Sequence, residues 1–187
     1  LGLVCGAVAI IFMKTTMFSQ DQFSKIPGPQ WIRPGIAGFL VGLIALAFPQ
    51  VMGAGYEATD LALKVQFSLA VLIALVIFKT MATAISIGGG SGGGVFTPSL
   101  MIGALTGYLI AIVINHTGIA HVSPANFALV GMCGVFSGVL HAPLTGIFLI
   151  AEITGGYALM IPLMLVSAIS YVVISYFEPY SIYTKHL

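Results

Sequence analysis

Apolar runs of about twenty residues recur along this sequence, and they constrain its fold more than any other feature. A membrane-spanning helix needs about 20 mostly apolar residues. Only 6% of the 187 residues are charged and 59% are hydrophobic, whereas a soluble domain has about 25% charged residues. The sequence therefore predicts an all-α, multi-pass integral membrane protein. The formal net charge of +1 provides no basic surface for nucleic acid.

Seven apolar segments are predicted to be helical, and two of them, 127–140 and 143–153, are too short for an ordinary membrane span. Short segments interrupted by glycine or proline are typical of broken and re-entrant helices, whose irregular backbone must be buried in protein or line a cavity. The predicted segments are 1–18, 32–51, 65–87, 95–115, 127–140, 143–153 and 158–177.

Glycines four residues apart predict close contacts between helices, because this spacing lets two backbones approach. The pairs are Gly38 with Gly42, Gly103 with Gly107, and Gly134 with Gly138.

The basic residues predict the orientation of the chain in the membrane. Lys14, Lys25 and Arg33 flank or lie in the first loop, and Lys185 lies in the tail. Because basic residues are enriched on the cytoplasmic side, the first loop and the tail are predicted to be cytoplasmic. Leu1 then lies on the opposite side.

The stretch "GGGSGGGVFTPSL", residues 88–100, interrupts the apolar pattern with almost bare backbone. Glycines permit a sharp turn inside the membrane, and a helix is predicted to begin near Val95. Pro98 fits this register, because proline is tolerated in the first turn of a helix. The first N–H groups of a helix have no intrahelical partner and, with the helix dipole, form an anion site. The stretch therefore predicts an anion site made of backbone.

Other interpretations of this stretch are weaker. A phosphate-binding P-loop needs Lys and Ser/Thr after the last glycine, where this chain has Val95 and Phe96. Residues 89–93 match the G-x-S-x-G of a serine hydrolase, with Ser91 as nucleophile, but that motif requires a preceding strand. An intramembrane hydrolase, an unrelated solute carrier and a flexible external glycine loop remain as alternatives.

Two charged residues within apolar segments need an explanation, because intramembrane charges mark function by default. Glu152 ends an apolar segment just before "TGG", which favours a structural role near a helix end. Lys79 lies about two turns before the glycines. It is predicted either to add positive potential near an anion or to extend to the surface.

The remaining candidate ligands predict no metal and no cofactor. The three histidines of the chain interior lack a metal-binding spacing, and both cysteines lie in apolar runs, which predicts buried thiols rather than a disulfide. These residues are His116, His121, His141, Cys5 and Cys133.

The glycine stretch resembles a signature of the CLC chloride channel and transporter family, with its Gly-x-Phe-x-Pro core at Gly94, Phe96 and Pro98. The stretches "RPGIAGFLVGLIALAFPQVMGAGYE" and "ALVGMCGVFSGVLHAPLTGIFLIAEITGGY" also resemble the family, in the family's order. By this resemblance the chain is the second of two inverted repeats, helices J to Q with the start of helix R. No regulatory domain is included in it.

The resemblance implies a function. The chain resembles part of a chloride channel or chloride/proton antiporter, not an enzyme, with chloride as the transported ligand and no other cofactor. The amides of Val95 and Phe96 and the hydroxyl of Tyr183 would bind the central chloride. The selectivity motif would comprise Gly94, Val95, Phe96, Thr97 and Pro98.

The resemblance also implies partners. The family forms homodimers in the lipid bilayer, and segments 143–153 and 158–177 would face the second subunit, with Ile147 and Leu163 as expected contacts. The first repeat, with its serine motif and gating glutamate, has no counterpart in these residues and is an expected partner of this chain.

Overall fold

The computed structural model describes residues 1–27, 31–52, 69–91, 93–118, 120–155, 157–179 and 182. Every regular element within these ranges is helical, which confirms the predicted all-α fold. The helices are α1 (Gly2–Ser24), α2 (Ile32–Ala47), α3 (Leu69–Gly88), α4 (Phe96–Thr117), α5 (Pro124–Leu140), α6 (Pro143–Ile153) and α7 (Met160–Phe177), with a short 3-10 helix at Pro49–Val51.

Four of these helices, α1, α3, α4 and α7, are long and apolar enough to cross a membrane. The chain is thus an integral, multi-pass membrane protein. Helices α2, α5 and α6 are apolar but shorter. The two predicted short helices are therefore present, whereas segment 32–51, predicted as a full span, forms only the shorter helix α2.

Several helix ends differ from the predicted segments. Helix α1 continues past residue 18 to Ser24, and an ion pair of 2.6 Å between Asp21 and Lys25, one turn apart, lies at its polar end. Helix α2 ends at Ala47, where Pro49 opens the 3-10 helix. Residues 65–68 of the third predicted segment lie outside the described ranges.

Helix α5 begins at Pro124, three residues before the predicted segment at 127. Ser123 caps it, since its side chain accepts a hydrogen bond of 3.4 Å from the Asn126 amide. A capping serine followed by proline at the first helical position is a strong helix start. This signal lies outside the apolar run, so a search for apolar residues misses it.

The helices form a layered bundle in which α1, α5 and α7 run in one direction. Gly2 faces Ile169 and Gly6 faces Val173, so α1 and α7 advance together. Helix α4 runs in the opposite direction to α5, because Gly103 faces Gly131 while the later Gly107 faces the earlier Phe127. Thus α4 starts near the end of α5.

The predicted glycine contacts form between α4 and α5. A Cβ atom on Gly103 would lie 2.8 Å from the Met132 Cα, and one on Gly107 would lie 2.7 Å from the Phe127 carbonyl carbon. The helices therefore touch backbone to backbone. Gly134 likewise packs closely, with 2.7 Å from its added Cβ to Val166.

The prediction is wrong for Gly38 and Gly42 within the part of the chain that the structure describes. A Cβ atom on either would have no atom within 4 Å. Helix α2 packs on α3 through the face that carries the buried Ala37, not through the face that carries Gly38 and Gly42. Spacing alone cannot show whether a helix reaches a particular face of α2.

We expect Gly107→Ala to lower the thermal stability of the protein, because the methyl group would collide with the backbone of Phe127. Forced overpacking costs about 1–3 kcal/mol or more. Gly42→Ala adds the same methyl group to open space and is the matched control. Thermal unfolding in detergent measures both. Equal melting temperatures for the two variants would contradict the backbone-to-backbone contact.

The predicted break between α5 and α6 is confirmed. Helix α5 ends at Leu140, His141 adopts a left-handed conformation with φ 55°, and α6 begins at Pro143. Proline disfavours helical geometry in the residue before it and clashes with the preceding turn. The cysteines also agree with their prediction, since Cys5 and Cys133 are free and buried.

Candidate functional site

The glycine stretch ends one helix and precedes another. Helix α3 ends at Gly88, and the amides of Gly89, Gly90 and Ser91 then bond to the carbonyls of Ile85, Ile87 and Ser86 at 2.9, 3.0 and 3.1 Å. Gly90 has φ 84°, a conformation that favours glycine. No continuous helix joins α3 to α4, as the sequence predicts.

The link returns towards the interior before α4 starts. Gly88 lies beside Ser19, since an added Cβ would be 2.8 Å from the Ser19 carbonyl carbon. Val95 belongs to a buried cluster with Phe12 and Met13. Val95 is only 3% exposed, so the residue that precedes α4 packs inside the protein, as predicted.

The first turn of α4 presents backbone donors. Val95 precedes the helix without a side-chain cap, and the first bond of the turn joins the Ser99 amide to the Val95 carbonyl at 3.0 Å. Earlier amides have no acceptor within the helix. Among the described residues, no hydrogen-bond acceptor pairs with the amides of Val95 or Phe96. This turn has the chemistry of an anion site.

The described residues cover one side of the site and leave the other side open. The side chain of Val95 is buried, whereas Gly93, Gly94 and Phe96 are exposed. The ring of Phe96 meets the ring of Phe136 edge to face, with centroids 4.9 Å apart and an interplanar angle of 83°. Thr97 and Pro98, the other residues of the predicted selectivity motif, are half-buried.

Lys79 lies inside the protein beside the glycine link. Its side chain is only 5% exposed, and its Nζ donates a hydrogen bond of 2.8 Å to the Val51 carbonyl. A cavity of about 200 Å³ is lined by Lys79, Thr83, Gly93 and Gly94, among others. Of the two predicted roles, the position beside the link agrees with added positive potential and not with extension to the surface.

The hydrolase arrangement is not supported. Ser91 follows a helix, α3, rather than the strand that a nucleophile elbow requires. Glu152 is exposed near the end of α6, and its structural role stays a prediction. His116 and His121 are exposed around the end of α4. No group of three potential metal ligands occurs in the described ranges.

One predicted ligand cannot be placed, and some contacts near the site were not predicted from the sequence. Tyr183 lies outside the described residues. Phe136, which supports Phe96, has no signal in the sequence, because nothing in a helical pattern identifies a partner on another helix. The buried Ser137 and Ser167, whose Oγ atoms lie 2.9 Å apart, were also not predicted.

Comparisons with known proteins agree with the resemblance seen in the sequence. A family model described as voltage gated chloride channel matches residues 1–175. The H(+)/Cl(-) exchange transporter ClcA of Yersinia pestis is 31% identical over 88% of this chain and 35% of its own length. The putative chloride channel protein ClcB-like of Ralstonia nicotianae is 32% identical over 100% of this chain and 44% of its own length.

Solved structures share the fold. The crystal structure of a slow cyanobacterial Cl-/H+ antiporter superimposes with a TM-score of 0.85 at 27% identity, over 97% of this chain and 43% of that one. A CLC-type fluoride/proton antiporter gives a TM-score of 0.79 at 21% identity and supports the fold alone. The chain thus spans less than half the length of the relatives named here.

Proposed function

Given that the chain belongs to the voltage-gated chloride channel family, we propose that it builds part of a pathway that carries chloride across a membrane. The observation that carries this proposal is the buried start of α4. There the amides of Val95 and Phe96 have no acceptor among the described residues. The relatives named above are an exchange transporter, an antiporter and a putative chloride channel protein, which also supports ion transport rather than hydrolysis.

The chemistry of the site suits a permeating anion. A chloride ion that enters a narrow site loses hydration, and protein donors must replace it without binding so tightly that the ion cannot leave. Neutral amides at a helix N-terminus offer hydrogen bonds and a partial positive charge. We propose the Tyr183 hydroxyl as a further donor, as the family resemblance implies. The cation of Lys79, buried near Gly94, adds to the positive potential.

Of the two transport modes open from the sequence, we propose coupled chloride/proton exchange. The named relatives ClcA and the cyanobacterial protein are a chloride/proton exchanger and antiporter. Proton uptake driven by a chloride gradient in proteoliposomes, with the remainder of the transporter present, tests this mode. Chloride flux without proton movement would instead indicate a channel.

We propose a homodimer that uses α6 and α7. Both helices expose large apolar side chains, with Leu144 68% and Phe148 56% exposed on α6 and Ile161 72% and Leu165 59% exposed on α7. A second subunit would cover this face. The residues named from the sequence as partner contacts, Ile147 and Leu163, are instead buried within the chain, at 5% and 1% exposure.

We expect Ser91→Ala to leave chloride transport within about twofold of the parent protein, because no donor role is proposed for this hydroxyl. Chloride efflux from proteoliposomes that contain the whole transporter measures this, with protein-free vesicles as the control. An intramembrane hydrolase would instead lose all activity on loss of its nucleophile. Replacing chloride by a large organic anion should stop the flux, and undiminished flux would favour an unrelated solute carrier.

A further inference from the structure

The ring of Phe96 is attached to the protein through Phe136. Phe96 is the first residue of α4, and its side chain is 41% exposed. Phe136 is fully buried on α5, and its ring meets that of Phe96 edge to face at 4.9 Å. Aromatic rings prefer this geometry. The contact therefore limits how Phe96, and with it the first turn of α4, can rotate.

Helix α6 supports Phe136 from another side. Gly146 faces the ring so closely that an added Cβ would lie 3.1 Å from Phe136 Cδ1 and 2.7 Å from Ser137 Oγ. No side chain fits between α6 and this part of α5. Any shift of α6 towards or away from α5 is therefore transmitted directly to Phe136.

Two buried serines connect α5, α6 and α7 at the same place. The Oγ of Ser167 on α7 lies 2.9 Å from the Oγ of Ser137 on α5 and 3.3 Å from the carbonyl oxygen of Pro143, the first residue of α6. Both serines are fully buried, where a lost hydrogen bond is costly. This serine pair holds the start of α6 beside the end of α5.

We propose that Phe136 is a positioning residue for the anion site, held in place by Gly146 and the serine pair. The inference rests on the proposed role of the Val95 and Phe96 amides. It deepens that role by connecting the site to α6 and α7, the helices with the exposed apolar face. A change in the packing of these helices would alter the donor geometry through Phe136 without touching the anion.

The test is the dissociation constant for chloride of the whole transporter, measured by isothermal titration calorimetry. We expect Phe136→Leu to weaken binding about three- to tenfold, the factor expected for losing an aromatic edge contact. Phe48→Leu is the matched control, because Phe48 forms a ring pair with Phe78 at 4.6 Å that joins the end of α2 to α3 and includes no residue of α4 or α5. We expect this control to bind chloride within about twofold of the parent.

Thermal unfolding separates positioning from general damage. Both phenylalanine variants should lower the melting temperature, whereas only Phe136→Leu should change the chloride affinity. If Phe136→Leu does not fold, Phe136→Met provides the same comparison, because methionine has about the volume of leucine but a flexible side chain that fills irregular gaps. Equal dissociation constants for the Phe136 and Phe48 variants would overturn the inference.

A second pair of variants tests the support from α6. Gly146→Ala places a methyl group against Phe136 and Ser137 and should weaken chloride binding. Gly42→Ala adds the same methyl group to open space on α2 and should leave chloride binding unchanged. Unchanged affinity in Gly146→Ala would refute the connection to α6. A parent protein that binds no chloride would refute the proposed function itself.

Discussion

Reconstituted alone, the 187-residue chain is expected to give no chloride-selective efflux from liposomes. It offers two amide donors in the described part, at Val95 and Phe96, and Tyr183 as a predicted third. Gly93, Gly94 and Phe96 are exposed, so the site is open where further protein would enclose an ion. A charge facing hydrocarbon costs about 2.5 kcal/mol or more, and each unpaired buried donor costs about 1–3 kcal/mol.

The comparison that checks this prediction adds the first repeat that the family resemblance implies, co-expressed or fused to the chain. The chain spans 35% of the Yersinia exchanger and 43% of the cyanobacterial antiporter, so more than half of such a protein is available to complete the pathway. Efflux should appear only in the combined sample. Robust, chloride-selective efflux from the chain alone would show that the pathway is built elsewhere in these residues.

Removing a single backbone donor should have the second large effect. We expect Val95→Pro to weaken chloride binding about tenfold or more, because a hydrogen bond to a charged group contributes about 1.5–3 kcal/mol. Val95 has φ −81°, close to the angle that proline imposes. The residue before it is Gly94, which has no Cβ to clash with the proline ring. The substitution therefore removes the N–H with little change in backbone conformation.

Val95→Ala is the matched control, because it trims the same buried side chain but keeps the amide. Phe96→Pro is less suitable, since proline disfavours helical geometry in the preceding residue and Val95 has ψ −8°. Calorimetry on the whole transporter measures the affinities of both Val95 variants. If proline and alanine at position 95 weaken binding equally, the amide of Val95 does not bind chloride.

The sequence by itself determined the helical elements and the places where they break. Gly90 permits the turn after α3, because glycine can adopt a positive φ. Pro143 forces the break after His141, because proline fixes φ and clashes with the preceding turn. The start of α4 near Val95 follows from the same local rules, whereas the burial of Val95 depends on packing against other helices. The apolar segments likewise predicted the helices, apart from ends set by residues such as Ser123, which lies outside the apolar run.

Only the tertiary structure decided which faces of the helices meet. Gly103 and Gly107 pack against α5, whereas Gly42, with the same spacing to Gly38, faces open space. Lys79 turns inward to the Val51 carbonyl, and Phe136 supports Phe96. Such contacts join residues that are far apart along the chain. They depend on how each helix is rotated and crossed against its neighbours, which local backbone preferences do not fix.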